Sequence, residues 1–500
     1  MVKLDKYKKR VTFSVCLSLK TCKIEVVPRI AAYRYGQCSA CAKEVQEIMF
    51  RRKQYQELLA WKKRSNGSSA LLIEGARRVG KSTIAEEFAR NEYRSYALVD
   101  FTLASEDFKQ TFLDMRTDLD GFFLYLSAAY GVTLYPRESL IIFDEVQLFP
   151  KAREFIKHLV ADGRYDYLET GSLVSLRQNV QDILIPSEEE SLRMGPLDFE
   201  EFLWAMGEEP LADYIRASFE RRRALPDALH RKAMRYWREY MLVGGMPQAV
   251  DAYAQGRDMA AADHAKRLVL KLYRDDIEKY GGLAAKRIKA VFDAIPGQLS
   301  KHEKRLIYAQ IEEDSRARDF QMALIWMREA QTVNLCTLSD DPSLGLALSE
   351  DETMVKCYMA DTGLLSSMAF GGDGPSLPEV YRQVLLGDSA VNEGMLAENA
   401  VAQQLVANGY DLHFYARNSA KKEERMEIDF LIVRPFEDAA SKPRISPIEV
   451  KSGKRYTTVS LDKFKNRFGK RVGTGYIIHP LPYTERDGYR LLPLYMSFCL

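Results

Sequence analysis

The run Gly75-Ala76-Arg77-Arg78-Val79-Gly80-Lys81-Ser82-Thr83 sets two glycines, a lysine and two hydroxyls at the G-x-x-x-x-G-K-[ST] spacing of a loop that cradles phosphate. Gly75 and Gly80 let the backbone approach phosphate oxygens without a Cβ in the way. The amides around Val79 to Ser82 then face the phosphates from a helix N-terminus, where the helix dipole favours negative charge. Lys81 would reach the β- and γ-phosphates, and the Ser82 hydroxyl would bind Mg²⁺. The apolar Leu71-Leu72-Ile73 before the loop and the helical pattern from Ile84 to Ala89 after it supply the strand and helix that such a loop must join. The chemistry is nucleotide binding, with Gly75 through Thr83 as the binding residues.

A second motif extends binding to hydrolysis. Ser139-Leu140-Ile141-Ile142-Phe143-Asp144-Glu145 is an apolar strand ending in two carboxylates. Continuous apolar runs suit a parallel strand buried on both faces, and acids at its C-terminal end fall where doubly wound sheets bind ligands. Asp144 would hold Mg²⁺ through a water, and Glu145 would activate the attacking water as general base. A third strand, Tyr165 to Glu169, ends in Thr170-Gly171-Ser172, whose hydroxyls are candidates to sense the γ-phosphate.

The third constellation lies near the C-terminus. Glu398 sits on an amphipathic helix running from Gly394 to Leu405, Asp429 on a strand Glu427 to Val433, and Glu449 and Lys451 two apart on a strand Pro447 to Lys451. Residues two apart on a strand leave the same face. Together the acids and the lysine make a candidate catalytic cluster in which Asp429 and Glu449 bind Mg²⁺ or Mn²⁺ and Lys451 orients water during phosphodiester cleavage. An E-x-K tripeptide by itself also fits a solvated strand edge. Between 442 and 471, Lys442, Arg444, Lys451, Lys454, Arg455, Lys463, Lys465, Arg467, Lys470 and Arg471 face only Glu449 and Asp462. That excess suits either contact with nucleic-acid phosphates or a basic, soluble surface.

The elements that position these residues divide the 500-residue chain into four parts. Residues 1–48 read as a poorly ordered extension; Cys38-Ser39-Ala40-Cys41 has a metal-site spacing but no second pair. Residues 49–205 alternate strands and helices, the rhythm of an α/β parallel sheet. Residues 206–373 are helical, with a turn at Gly244-Gly245-Met246-Pro247, and resemble a lid followed by a winged helix over 284–368. The charges of Tyr273 to Lys279 read most simply as a solvated helix face. Residues 374–500 follow the order α-β-β-β-α-β. A net charge of +2 says nothing about partners, seven irregularly spaced cysteines make no disulfide framework, and no apolar run is long enough to span a bilayer. A reducing cytoplasm fits this composition.

Taken in order, GARRVGKST, LIIFDEVQ, the TGS strand end, LVGGMP, YRDDIEKY, CYMADTGLL, GMLAENAV, MEIDF and IEVKSG resemble a family of bacterial and archaeal AAA-like P-loop ATPases over roughly residues 49–500. Members of that family carry a C-terminal domain of unknown function with a PD-(D/E)XK nuclease-like end. The resemblance implies a P-loop sheet, a helical and winged-helix middle and a restriction-endonuclease-like αβ domain. It also implies ATP and Mg²⁺ as cofactors, with a second Mg²⁺ or Mn²⁺ in the C-terminal domain, and Arg193 as the arginine finger. Two functions follow as alternatives: an ATPase coupled to a nuclease-like domain acting on DNA, or a nucleotide-controlled switch that binds nucleic acid or protein without cutting. Self-association is open in both, and neither involves a membrane. Two positions depart from the family pattern: Leu192 precedes Arg193 where a glycine is common, and Glu427-Ile428-Asp429 stands where fuller nuclease motifs have Pro-Asp.

Overall fold

Short aliphatic runs alternate with helices through the first part of the computed structural model, which describes residues 50–172, 187–301, 303–342, 345–370, 377–386, 393–435, 443–453 and 456–500. The expectations for residues 1–48 lie outside the described residues. Five strands build the first sheet: β1 (Ala70–Glu74), β2 (Ser95–Asp100), β3 (Ser139–Asp144), β4 (Asp166–Gly171) and β5 (Glu189–Arg193). All pair in parallel, in the order β2-β3-β4-β1-β5. Every residue of β1, β3 and β4 is buried, as strands covered on both faces must be. β4 lies between β1 and β3, so its C-terminal hydroxyls come out between the phosphate loop and the acidic strand end.

β5 was not legible as a strand. Its Glu189-Glu190-Ser191 has none of the apolar character of the others, and it pairs with β1 at the sheet edge, where Arg153 meets the Glu189 carboxylate at 2.8 Å.

Beyond the sheet run the helices Phe199–Ala205, Glu209–Glu220, Asp227–Val243, Pro247–Ala254, Met259–Tyr280, Ala285–Leu299 and Ala317–Glu329. The hairpin β6 (Val333–Ser339) and β7 (Glu350–Met359) follows, at the positions expected for the strands of a winged helix. It does not stand as a separate wing. β6 pairs in parallel with β8 (Leu412–Arg417), which is antiparallel to β9 (Met426–Pro435), itself antiparallel to β10 (Pro443–Val450). β11 (Gly475–His479), β12 (Thr484–Arg486) and β13 (Tyr489–Pro493) complete one eight-stranded sheet in the order β12-β13-β11-β10-β9-β8-β6-β7. The boundary drawn from sequence at 373/374 therefore cuts across a continuous sheet. With the helices Glu393–Ala407 and Val459–Phe468, the C-terminal part has the expected α-β-β-β-α-β order plus a terminal hairpin.

A buried polar junction joins the two sheets. Asp361, without exposed surface, accepts hydrogen bonds from the Gly245 amide at 2.5 Å and the Leu364 amide at 2.9 Å. The Leu197 amide, just past β5, donates to the Gly245 carbonyl at 2.7 Å. From the helix Glu393–Ala407, Gln403 accepts from the Thr362 amide at 2.9 Å and Gln404 from the Phe199 amide at 2.8 Å. Asn399 binds both the amide and the carbonyl of Met359. The glycines are compulsory here. A Cβ on Gly245 would stand 1.9 Å from the Leu197 carbonyl oxygen, and one on Gly244, at φ +78°, 2.2 Å from Asp361 Oδ1. Each buried amide left without an acceptor costs about 1–3 kcal/mol. Asp361→Ala strands two, so denaturant unfolding should show a loss of about 2–5 kcal/mol; a loss below about 1 kcal/mol would mean that the junction is not structural.

Candidate functional site

The phosphate loop is held open by contacts on both flanks. Gly75 cannot carry a side chain, because a Cβ would lie 2.2 Å from the Met194 carbonyl oxygen, and Gly80 has φ +98°. Arg52, buried, clamps the loop from outside: its guanidinium donates to the Val79 carbonyl at 2.9 Å, the Gly195 carbonyl at 2.6 Å and Glu201 at 3.1 Å. Lys81 folds back onto its own loop, donating to the carbonyls of Gly75 at 3.1 Å and Ala76 at 3.0 Å. Burial holds its pKa below the usual lysine value despite the nearby carboxylates of Glu145 and Asp144. An incoming phosphate would add the counter-charge needed to offset this burial.

Asp144 accepts from the Ser82 hydroxyl at 2.7 Å and from the Thr170 hydroxyl. Burial pushes its carboxyl up, with those two hydroxyls opposing the shift. Thr170 also accepts from the Glu145 amide at 3.2 Å. One hydroxyl on β4 thus fixes both acids at the end of β3, a positioning role that the sequence did not reveal. Glu145 itself adopts φ 53°, the left-handed region unusual for a residue with a side chain, and Gln147 donates to its carboxylate. The Ser172 amide donates to the Gln147 side chain at 3.3 Å, so the strand end reaches Glu145 through a glutamine. Ser82, Asp144, Glu145 and Thr170 form one connected group beside Lys81, the arrangement that Mg²⁺-nucleotide hydrolysis requires.

The helix Met259–Tyr280 crosses this site. Asp276 pairs with the Arg77 guanidinium at 2.9 Å, and the Tyr273 hydroxyl donates to the Arg77 carbonyl at 3.2 Å. These residues line a cleft with Ser172, Tyr280 and Trp326. The sequence expectation of a solvated face is corrected: Tyr273 is buried, and Asp276 faces the loop because Arg77 supplies the opposite charge. Arg78, in contrast, is exposed at φ 68°. Arg193 is also exposed at the edge of the sheet; it touches Glu74 at 3.3 Å and comes no closer to the strand end carrying Glu145 than β5 allows.

At the C-terminal cluster the four expected residues do converge. Asp429 and Glu449 lie one step beyond the Phe430–Ile448 pair of the antiparallel β9–β10 ladder, hence on one face, and the Val450 amide donates to Asp429 at 2.8 Å. Lys451 meets Glu449 at 2.9 Å. Glu398, buried, accepts from the Tyr358 hydroxyl at 2.5 Å. Two further lysines were not anticipated. Lys304 pairs with Glu398, and Lys356 on β7 lies 3.7 Å from both Glu398 and Asp429 and 2.8 Å from Glu427. Burial would raise the Asp429 carboxyl, but Lys356, Lys304 and Lys451 outweigh it and hold the group below the usual range.

Among the described residues no group of three His, Cys, Asp or Glu side chains is arranged to hold a metal ion, so the donor set does not fit the metal expected at Asp429 and Glu449. The signal for Lys356 was present: a lone charge in the apolar run Met354-Val355-Lys356-Cys357-Tyr358. Of the basic side chains nearby, Lys463 is tied to the carbonyls of Lys422 and Arg425 at 2.7 and 2.9 Å, while Lys442, Lys454 and Arg455 lie outside the described residues.

Three family models match the chain: "AAA domain" over residues 67–203, "Domain of unknown function (DUF8612)" over 234–373 and "Domain of unknown function (DUF4143)" over 393–495. No curated protein matches the sequence. Among solved structures, one similar chain is a signal transduction ATPase with numerous domains and a tetratricopeptide repeat sensor from Pyrococcus horikoshii. It shows 13% identity and a TM-score of 0.27 over 72% of this chain and 50% of that one. Another is Cdc6p from Pyrobaculum aerophilum, at 10% identity and a TM-score of 0.22 over 67% of this chain and 93% of that one. The chain spans half the length of the first of these, and neither likeness bears on function. No helix among the described residues is long and apolar enough to cross a membrane. Residues 67–203 match the AAA domain model, and the parallel five-stranded sheet with its loop between β1 and the following helix fits a P-loop NTPase fold.

Proposed function

We propose that the chain is a Mg²⁺-dependent ATPase whose nucleotide state is passed to its middle and C-terminal parts as a switch. The observation that carries this reading is the connected group Lys81, Ser82, Asp144, Thr170 and Glu145 at the ends of adjacent parallel strands. Ser82 and Asp144 would hold Mg²⁺, which supplies charge neutralisation at the β- and γ-phosphates. Lys81 turns from its loop carbonyls to the phosphates. Glu145, positioned by Thr170 and Gln147, takes the proton of the attacking water. Arg193, exposed at the sheet edge, suits a finger offered to a neighbouring copy, which makes self-association part of the reading.

The route of the switch begins at Arg77. Its guanidinium can neutralise Asp276 or a bound phosphate, and a phosphate is the stronger partner. Exchange would loosen the helix Met259–Tyr280 from the loop. For the C-terminal part, binding without cutting is favoured over metal-dependent cleavage of DNA because lysines already neutralise Glu398, Asp429 and Glu449.

Glu145→Gln should bind ATP normally and turn over about 100-fold or more slowly, while Lys81→Ala should lose ATP binding. Unchanged turnover in Glu145→Gln would remove the assignment of the base. Asp276→Asn should tighten ATP binding by up to about fivefold in equilibrium titration, since a half-buried pair of this kind contributes roughly 1 kcal/mol or less; weaker binding would show that Asp276 assists the nucleotide rather than competing with it. Incubating the full chain with DNA and Mn²⁺, with and without ATP, should leave the DNA intact. Cleavage that disappears in Glu449→Gln would restore the nuclease reading.

A further inference from the structure

Three carboxylates of the C-terminal cluster, Glu398, Glu427 and Asp429, stand around one lysine ammonium. The Lys356 ammonium lies 3.7 Å from Glu398 Oε1, 3.7 Å from Asp429 Oδ1 and 2.8 Å from Glu427 Oε1. Its side chain is only 1% exposed, and the Phe414 ring stands 5.0 Å away. Register fixes it there: Lys356 pairs with Cys336 in the β6–β7 ladder, and β6 continues into β8 and the rest of the sheet. The ammonium is therefore held inside the sheet, with Glu427, itself partly exposed, as its nearest partner.

With the ammonium between them, the acids form no group of three that could hold a metal among the described residues. Asp429 and Glu449 share a face, Glu398 and Glu449 are almost fully buried, and Glu449 Oε1 accepts no hydrogen bond among the described residues. A divalent ion would need carboxylate oxygens at roughly 2.0–2.6 Å. At such distances from Glu398 and Asp429 it would collide with the lysine ammonium in space and repel it in charge. Buried acids without a cation are costly, and this chain supplies the cation covalently.

We propose that this cluster is a latent divalent-cation site closed by the chain's own lysine: Lys356 stands between Glu398 and Asp429 in place of an ion, and the native protein keeps the cluster metal-free. The inference does not depend on ATP hydrolysis. Failure of the Glu145 assignment leaves it untouched, and its own failure leaves that assignment untouched.

The test is a Mn²⁺ titration of the full chain without nucleotide, followed by electron paramagnetic resonance of free Mn²⁺. Asp144→Asn is included throughout so that the nucleotide site cannot contribute. With Lys356 in place, no Mn²⁺ should bind at millimolar concentration. Lys356→Met should bind one Mn²⁺ at least tenfold more tightly, lose it again on Asp429→Asn, and melt at a higher temperature with Mn²⁺ than in EDTA. Lys356→Arg, which keeps the charge, should bind none. Mn²⁺ binding by the lysine-containing protein that Asp429→Asn abolishes would overturn the proposal, as would binding by Lys356→Arg or folded Lys356→Met that takes up no ion. If Lys356→Met does not fold, Lys356→Gln, which also removes the charge, takes its place under the same criteria.

Discussion

Asp361 is a carboxylate placed where no water reaches it, and the two halves of the molecule meet on its oxygens. Isolated burial of such a group is costly, so its position is secure only while Gly245, Leu364 and Gln403 keep donating to it. Burial raises its pKa, and the backbone amides of Gly245 and Leu364 oppose that shift. The consequence spreads outward. Gly245 receives the Leu197 amide, Leu197 follows Met194, and the Met194 carbonyl sits against Gly75 of the phosphate loop. The loop's shape is thus set partly by a carboxylate almost three hundred positions later in the chain.

The same economy of buried charge operates at both functional clusters, with opposite outcomes. At the phosphate loop the cation Lys81 is buried with carbonyls for company and its charge is disfavoured, which leaves it ready for an anionic ligand. At the C-terminal cluster the anions are buried with lysines, and the charges of Lys356 and Asp429 are both favoured. One site is electrostatically incomplete and the other is closed on itself.

How much of this was legible in the sequence depends on whether a signal was local. Lys81, Ser82, Asp144 and Glu145 could be read because strand, loop and helix follow one another within a few residues and periodicity fixes which way each faces. The order α-β-β-β-α-β near the C-terminus and the shared face of Glu449 and Lys451 were legible for the same reason. What escaped was non-local. Arg52 and Asp276 each meet the loop across a long stretch of chain, and their charge looks like surface until the partner is known. β5 escaped because an edge strand with Glu189 and Glu190 lacks the apolar pattern of its neighbours. Lys356 escaped because its meaning comes from Glu398 and Asp429, which lie on later elements of the chain. The motifs LVGGMP and CYMADTGLL carried the resemblance without a reason, and the close crossing of Gly244 and Gly363 supplies it.

The continuity of β6 and β7 with the C-terminal strands has a mechanical consequence. A hydrogen-bonded sheet resists sliding between its strands far more than two packed layers resist rocking, because every ladder bond must lengthen together. The hairpin and the C-terminal strands therefore move as one plate. The phosphate loop belongs to a different plate, and the two are pinned at Asp361 and bridged at Arg77 and Asp276. Any work done by the nucleotide would be delivered as a tilt about that pin, with the helix Met259–Tyr280 as the lever, rather than as a swing of a wing against a separate C-terminal body.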